Sequence, residues 1–332
     1  MKKIGEQSLK FENTYLLETS TVAGKLEKEG PLGDYFDVCF NNNYIGESTW
    51  EKGEMALLDN SIGTLLNKAQ KNVKDIDLLI GGDLNNQIAI TNYVLKEYEI
   101  PFLGIYSACS TFTEGLIVGS TFIENGLNNV IVSTSSHNST SERQFRNPTE
   151  YGGQKNQTTT FTATASGSTL LTNKKTNIKI TNATIGKVID STILDPCDMG
   201  RIMAPAAADT LLHHLKDFNV NPNEYDLIVT GDLSKYGKET FLTILKEYDI
   251  ELKNYEDTGL MLYDTEKQPV FSGGSGAGCI TLVTLGYLYN MMMARKYHKI
   301  LLIATGALLN PVMTFQKETI PAIAHAVVLE RI

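Results

Sequence analysis

Short continuous apolar runs alternate with amphipathic stretches along most of the chain, and their order repeats. "DIDLLIGGDL" at 75–84 and "EYDLIVTGDL" at 224–233 each place an acidic turn before an apolar run. Runs of that length, bounded by turn residues, read as strands buried on both faces. "YVLKEYEI" at 93–100 and "TILKEYDI" at 243–250 read as amphipathic helices that end before a short strand. Both pairs lie about 150 residues apart, a period that marks two related halves rather than a solenoid. "YSACSTFTEGLIVGSTFIENG" (106–126) then takes the place in the first half that "SGGSGAGCITLVTLGYLYNMM" (272–292) takes in the second. An apolar strand follows each, "NNVIVSTSSH" (128–137) and "HKILLIATGAL" (298–308), with an insertion around 251–271 widening the offset. Each half therefore reads strand, helix, strand, long buried helix, strand.

Further elements fit this frame. "TYLLETSTVAG" (14–24) reads as a strand ending at Gly24. Met55, Leu58, Ile62 and Leu65 fall at helical spacing within 48–69, with Ser48 or Thr49 as the cap. Residues 203–218 predict a helix in the equivalent place of the second half. Gly115, Gly119, Ser120 and Thr121 make the helix after position 110 narrow, which predicts close packing on its partner from the other half. Residues 138–158 are polar and rich in turn formers, and predict a long functional loop. No charged residue occurs from Gln268 to Ala294. Length alone would allow a membrane span. The glycines and serines at its start, with Thr281, Thr284 and Asn290, favour a helix buried inside the protein. The expected class is α/β, with two sheets, helices between them and helices outside, divided into halves 1–174 and 175–332.

Charge narrows the partners. The net charge of -9 and pI near 5.2 argue against nucleic acid and against a broad polybasic membrane contact. A small anionic ligand answers only to the local field and stays allowed. Cysteines 39, 109, 197 and 279 are widely spaced, with no C-x-x-C and no His/Cys cluster, so no structural zinc is expected. "MKKIGEQSLKFENTY" lacks an apolar segment, no signal peptide is read, and free thiols are expected.

Cys109 stands where chemistry is plausible. Ile105 and Tyr106 end a strand, and Thr111 with Glu114 fits a capping box, so a helix begins beside the thiol. A helix start carries free N–H groups and about half a positive charge, which favours a thiolate or a bound anion. A small buried packing cysteine is the other reading of the same residues.

The duplicated halves, with a cysteine at the start of a buried helix, resemble the thiolase and ketoacyl-synthase superfamily over nearly the whole chain. That resemblance implies a thiolase-like five-layer αβαβα fold built from two duplicated halves. It also implies two assistants for the cysteine: a His or Asn after the first strand of the second half, and an Asn or His in a glycine-rich turn. The first position falls at Thr230-Gly231-Asp232, without an imidazole, and the second at Gly274, without a side chain. Losing one oxyanion donor typically costs roughly a hundred- to a thousand-fold in rate. His137 and His325 are the imidazoles that could substitute.

Longer stretches sharpen the resemblance. "GPLGDYFD" (30–37), "GIYSACST" (104–111), "TSSHNSTSERQFRNPTEYGGQ" (134–154), "DMGRIMAPAAADT" (198–210), "GGSGAGC" (273–279), "TGALLNP" and "IPAIAHAVVLE" within 305–330 resemble the stage V sporulation protein AD family. The resemblance implies a thiolase-like fold without known thiolase activity, and binding of pyridine-2,6-dicarboxylate (dipicolinate), taken up by developing spores as its calcium chelate. It further implies small integral membrane proteins as partners, a homodimer, and a cytoplasmic place in the developing spore, peripheral to the spore inner membrane. No resident cofactor or metal is expected, and calcium would arrive with the ligand.

A flat aromatic dianion needs donors for two carboxylates and a face for its ring. The expected ligand site comprises Cys109, Ser110 and Thr111 at the helix start, Gly274 and Ser275 in the glycine-rich turn, and Asn310, His137 and Arg143 around them. Arg146 shares the loop with Arg143, and both could instead pair with Glu142 and Glu150 at the surface. Asp83 and Asp232, related by the repeat, make sense beside a dianion if calcium enters with it; turn or capping roles are the alternative. Two functions compete: a non-catalytic binding protein, and an acyltransferase or condensing enzyme with Cys109 as nucleophile.

Overall fold

The computed structural model describes every residue, Met1–Ile332. One path of hydrogen-bonded strands runs through β1 (Tyr15–Ala23), β2 (Leu78–Gly82), β3 (Phe102–Gly104), β4 (Asn129–Ser136), β5 (Ala165–Thr172), β6 (Ile178–Ile185), β7 (Leu227–Thr230), β8 (Tyr255–Asp257), β9 (Lys299–Ala307) and β10 (Pro321–Arg331). Their spatial order is β8-β7-β9-β10-β6-β1-β5-β4-β2-β3. Read outward from the middle, the order is the same in both directions, so each half builds one mixed sheet with the same topology. The two sheets meet at only two residue pairs, Leu16 with Ile178 and Tyr15 with Lys179. The division at 174/175 falls in the turn between β5 and β6.

Layering follows from strand alternation. In β9, Ile300, Leu302 and Ala304 enter the central core, while Leu301 and Ile303 enter an outer one. In β2, Leu78 and Ile80 face the centre and Leu79 faces outward. A strand apolar at every position needs cover on both sides. Outer cover comes from α1 (Trp50–Ala69) and α2 (Ala89–Leu95) on the first sheet, and from α5 (Met199–Phe218) and α6 (Ser234–Glu247) on the second. The central layer is α3 (Thr111–Glu124) and α7, whose segments Ala277–Leu282, Val283–Leu288 and Tyr289–Met293 run on from one another through a π-helical stretch. This is the five-layer αβαβα arrangement.

The uncharged run from Gln268 to Ala294 thus supplies a buried helix, and no helix of the chain is long and apolar enough to cross a membrane. Thr49 caps α1, its side chain accepting from the Lys52 N–H at 3.3 Å. The helix expected at 203–218 begins earlier, at Met199. The glycines of α3 serve a different contact from the one expected. A Cβ at Gly115 would lie 2.6 Å from Val132, and one at Gly119 2.8 Å from Leu171, so they bring α3 down onto β4 and β5 of its own sheet.

The polar stretch 138–158 also departs from expectation. Its first part is a helix, α4 (Asn138–Phe145), capped by His137, whose Nδ1 accepts from the Ser139 N–H at 3.1 Å. Asn138 to Glu142 are buried. Some of their polar groups have tertiary partners, such as the Thr140 hydroxyl that donates to Glu54 at 2.7 Å. Low hydrophobicity therefore did not mean exposure here.

Candidate functional site

The chain enters α3 through a tight turn in which Ala108 has φ 49°, a left-handed conformation uncommon for a residue with a Cβ. The expected capping box is absent. Thr111 Oγ1 accepts from the Ser107 N–H at 3.0 Å and donates to the Ala108 carbonyl at 2.7 Å. The Ser110 hydroxyl donates to the Ser107 carbonyl at 2.6 Å. Both hydroxyls hold the turn together, and neither is free to receive a ligand.

Cys109 is buried, and burial is the main cause that pushes its thiol pKa well up. The carboxylate of Asp232 pushes it further, against a smaller opposing effect of the Gly276 N–H. A thiolate, the reactive form, is therefore disfavoured. Asp232 itself has φ 66° and is fully buried. Its Oδ2 accepts from Gly276 N–H at 2.8 Å, and its Oδ1 has no partner. Burial, then the nearby Asp257, raise its pKa well above the usual carboxylate range.

Neither candidate imidazole serves the thiol. His137 Nε2 is 2.7 Å from the Asn43 carbonyl, and its Nδ1 is taken by the α4 cap. His325 Nδ1 accepts from the Gly186 N–H at 3.1 Å, and its Nε2 lies 3.4 Å from the Ser107 hydroxyl. Burial lowers the His325 pKa to about 4, keeping the ring neutral. The second assistant's place is filled. A Cβ on Gly274 would lie 2.7 Å from the Tyr263 ring and 3.2 Å from Cys279 Sγ. Tyr263 is held there by its hydroxyl, which donates to buried Glu27.

Room at the thiol is scarce. Cys109, Ser275, Phe145, Arg146, Met199 and Leu309 line a cavity of about 20 Å³. That volume holds about one water molecule. It does not hold a pyridine ring, so the ligand seat expected around Cys109, Gly274 and Ser275 is closed in this structure.

The remaining expected residues are dispersed. Asp83 is buried, accepting from Asn85 N–H at 2.9 Å, Thr91 N–H at 2.8 Å and the Thr91 hydroxyl at 2.7 Å. It anchors the turn into α2, beside buried Glu54, and shares no site with Asp232. No group of three or more His, Cys, Asp or Glu is placed to hold a metal ion. Asn310 caps a short helix, Pro311–Phe315, accepting from Val312 and Met313 N–H at 3.0 and 3.2 Å. Arg143 lies at the surface with Glu51 at 2.7 Å and Glu150 at 3.4 Å.

Arg146, three residues on, is the arginine the fold draws inward. Its side chain is 4% exposed, with Nη2 donating to Glu142 Oε1 at 2.5 Å, and Lys155 Nζ holds Glu142 Oε2 at 2.9 Å. Arg146 Nε has no partner, nor has Asn138 Nδ2. A buried donor left unpaired costs about 1–3 kcal/mol. Arg146 lines the small cavity at Cys109 and also a chamber of about 560 Å³ beneath residues 147–157. That volume is in the range of small-molecule sites, about 300–1,000 Å³. Phe161 and Phe271 supply aromatic walls to the chamber, and Phe271 holds φ 56°. The four-residue spacing of Glu142 and Arg146 is the signal in the sequence that could have found this buried pair.

Comparison with known proteins places this geometry. The profile of stage V sporulation protein AD matches residues 5–330. Stage V sporulation protein AD of Bacillus subtilis (strain 168) is 46% identical over 335 residues, spanning 100% of this chain and 98% of that protein. The chain belongs to the stage V sporulation protein AD family. Solved structures similar to this family member are condensing enzymes. 3-Oxoacyl-[acyl-carrier-protein] synthase III from Aquifex aeolicus VF5 matches with TM-score 0.58 at 15% identity, covering 96% of this chain and 99% of that one. A single-substitution variant of OleA from Xanthomonas campestris, bound with cerulenin, matches with TM-score 0.61 at 12% identity, covering 97% of this chain and 98% of that one. At such identities the likeness establishes the thiolase-like fold of this sporulation protein.

Proposed function

We propose that this sporulation protein is a non-catalytic binding protein for dipicolinate, alone or as its calcium chelate, that supports uptake of the compound into the developing spore. The observation that carries the non-catalytic reading is the environment of Cys109. A buried carboxylate stands where a thiolase-like enzyme needs an imidazole, and the Tyr263 ring fills the place of the second assistant. The ligand comes from the family resemblance. A roomy chamber lined by Arg146, Phe161 and Phe271 supports a binding role.

The same reading sets the protein in the cytoplasm of the developing spore, peripheral to the inner membrane, with small integral membrane proteins as partners. A homodimer is part of it. β3 ends the path of strands with Leu103 exposed, an open edge on which a second copy could pair. The acidic charge supports the absence of nucleic acid among its partners. The competing reading, an acyltransferase using Cys109, rests on the strained turn that still presents the thiol at a helix start.

Titration calorimetry with dipicolinate, with and without calcium, tests the proposal. Saturable heat at micromolar to millimolar ligand is expected in at least one condition. No heat in either condition would remove the ligand from the account.

A further inference from the structure

The net charge of -9 is not spread evenly. The parallel strands of both sheets begin at one end of the fold, opposite the end that carries Cys109 and the chamber. At that end two basic turns stand close together. The turn between β5 and β6 holds Lys174 and Lys175, and the turn from α7 into β9 holds Arg295 and Lys296. They flank the end of β10, where Arg331 N–H donates to the His298 carbonyl at 2.7 Å and Ile332 N–H to the Asn177 carbonyl at 3.0 Å. Two strand spacings put the turns about 10 Å apart. All four side chains are exposed, and none makes an ion pair. Behind them Lys179 and Lys299 stand in register on either side of Glu330, and Arg331 adds a further charge.

The acids of this end do not neutralise the turns. Asp226 accepts from the His298 and Lys299 N–H groups at 2.6 and 2.9 Å, and Asp77 from those of Asn128 and Asn129 at 2.7 and 2.9 Å. Glu124 is held by the amine of Met1 at 2.6 Å. Exposed Glu97, Glu99, Glu247, Asp249 and Glu251 lie at the margins, where the chain leads into the outermost strands β3 and β8. The terminal carboxylate of Ile332 offsets one of the positive charges. Met293, 37% exposed, adds an apolar side chain beside Arg295.

We propose that this end of the fold docks on an anionic lipid bilayer, with Lys174, Lys175, Arg295 and Lys296 among the headgroups and Met293 beside them. This rests on the reading that the protein is peripheral to a membrane, and it names the surface that makes the contact. The bases crown two turns on either side of a strand end, so a flat sheet of negative charge meets all four at once. Charges farther off than about 10 Å are screened at physiological salt, so the acidic remainder does not cancel the local attraction. The strands then stand end-on to the bilayer. Residues 138–157 follow the opposite end of β4, so the chamber faces away from the lipid.

The test is co-sedimentation of the full chain with vesicles of phosphatidylglycerol and phosphatidylcholine in equal parts, and with phosphatidylcholine alone. Three proteins are compared, each checked for cooperative thermal unfolding. They are wild type, a face variant (Lys174→Glu, Lys175→Glu, Arg295→Glu, Lys296→Glu) and a control variant (Lys52→Glu, Lys187→Glu, Lys235→Glu, Lys317→Glu). The control changes net charge equally, at exposed lysines without ion pairs toward the other end of the strands. Each basic side chain at an anionic surface is worth about fivefold in affinity, so the face variant should bind at least about a hundredfold more weakly than wild type. The control variant should stay within about fivefold of wild type, and raising the salt should release all binding. Equal binding by wild type and face variant would overturn this face and leave the peripheral reading standing. No binding of wild type to the anionic vesicles would overturn the lipid surface itself. Binding to a short DNA duplex in place of vesicles would assign the bases to nucleic acid and overturn the proposal.

Discussion

The cavity at Cys109 and the chamber beneath residues 147–157 share Arg146 as a wall, yet the first has about 20 Å³ of room and the second about 560 Å³. At the thiol the hydroxyls are spent, and one oxygen of Asp232 is left without a partner. Ser110 and Thr111 bond their own turn, Asp232 holds Gly276, and Tyr263 fills the glycine-rich bend. In the chamber wall, Arg146 pairs with Glu142 and Lys155 holds the other oxygen of that carboxylate. Backbone strain gathers at the thiol. Ala108, Asp232 and Ser234 all hold positive φ around the thiol, a conformation that costs on the order of 1–3 kcal/mol each. The contrast teaches that a backbone turn can present a thiol at a helix start with no imidazole beside it, while the open space lies elsewhere in the fold.

The largest effect should come from restoring what the thiol site lacks. Gly274→Asn drives a side chain into the Tyr263 ring and is expected to destabilise the fold by about 3 kcal/mol, measured by urea denaturation. A variant as stable as wild type would mean that the site has kept room for its second assistant.

Glu54 comes next, since it is buried and joins α1 to α4. Burial, then Asp83, raise its pKa from 4.5 to about 8. Between those values the folded state keeps a proton that the unfolded state has released, so stability falls as pH rises through that window. Glu54→Gln should flatten this fall, read from denaturation midpoints across the window. An unchanged slope would place the titrating group elsewhere.

Smaller effects separate the two cavities. Cys109→Ala should cost about 1 kcal/mol of stability or less, because it removes only a sulfur from a tight site. Arg143→Ala should change stability by less than about 0.5 kcal/mol and leave dipicolinate affinity as it was, since its ion pairs are exposed. Weakened binding in this variant would place a carboxylate donor at the surface.

The layered frame was legible because apolar periodicity reports strand and helix directly, and the repeat reports topology. Leu78 and Ile80 facing one way with Leu79 facing the other is the reading of "LLI" that a doubly covered strand demands. The site was less legible. Asp83 and Asp232 align in the repeat, yet Asp232 sits at φ 66° beside a thiol while Asp83 ties a turn to Thr91. Local sequence does not reveal that difference. Arg143 and Arg146 are equivalent in composition, and only the position at which α4 ends decides which guanidinium is drawn inside. Helix α4 escaped notice because the groups that bury its polar residues, Glu54 above all, come from a distant part of the chain. Gly115 and Gly119 announced close approach, but α3 is covered on all sides, so the pattern did not say which neighbour.

Intact-protein mass spectrometry after incubation with acyl-CoA thioesters tests the central claim most directly. The account predicts an unmodified chain, because the buried thiol beside Asp232 does not ionise to attack a thioester. An acyl group on Cys109 that forms and then turns over would contradict it.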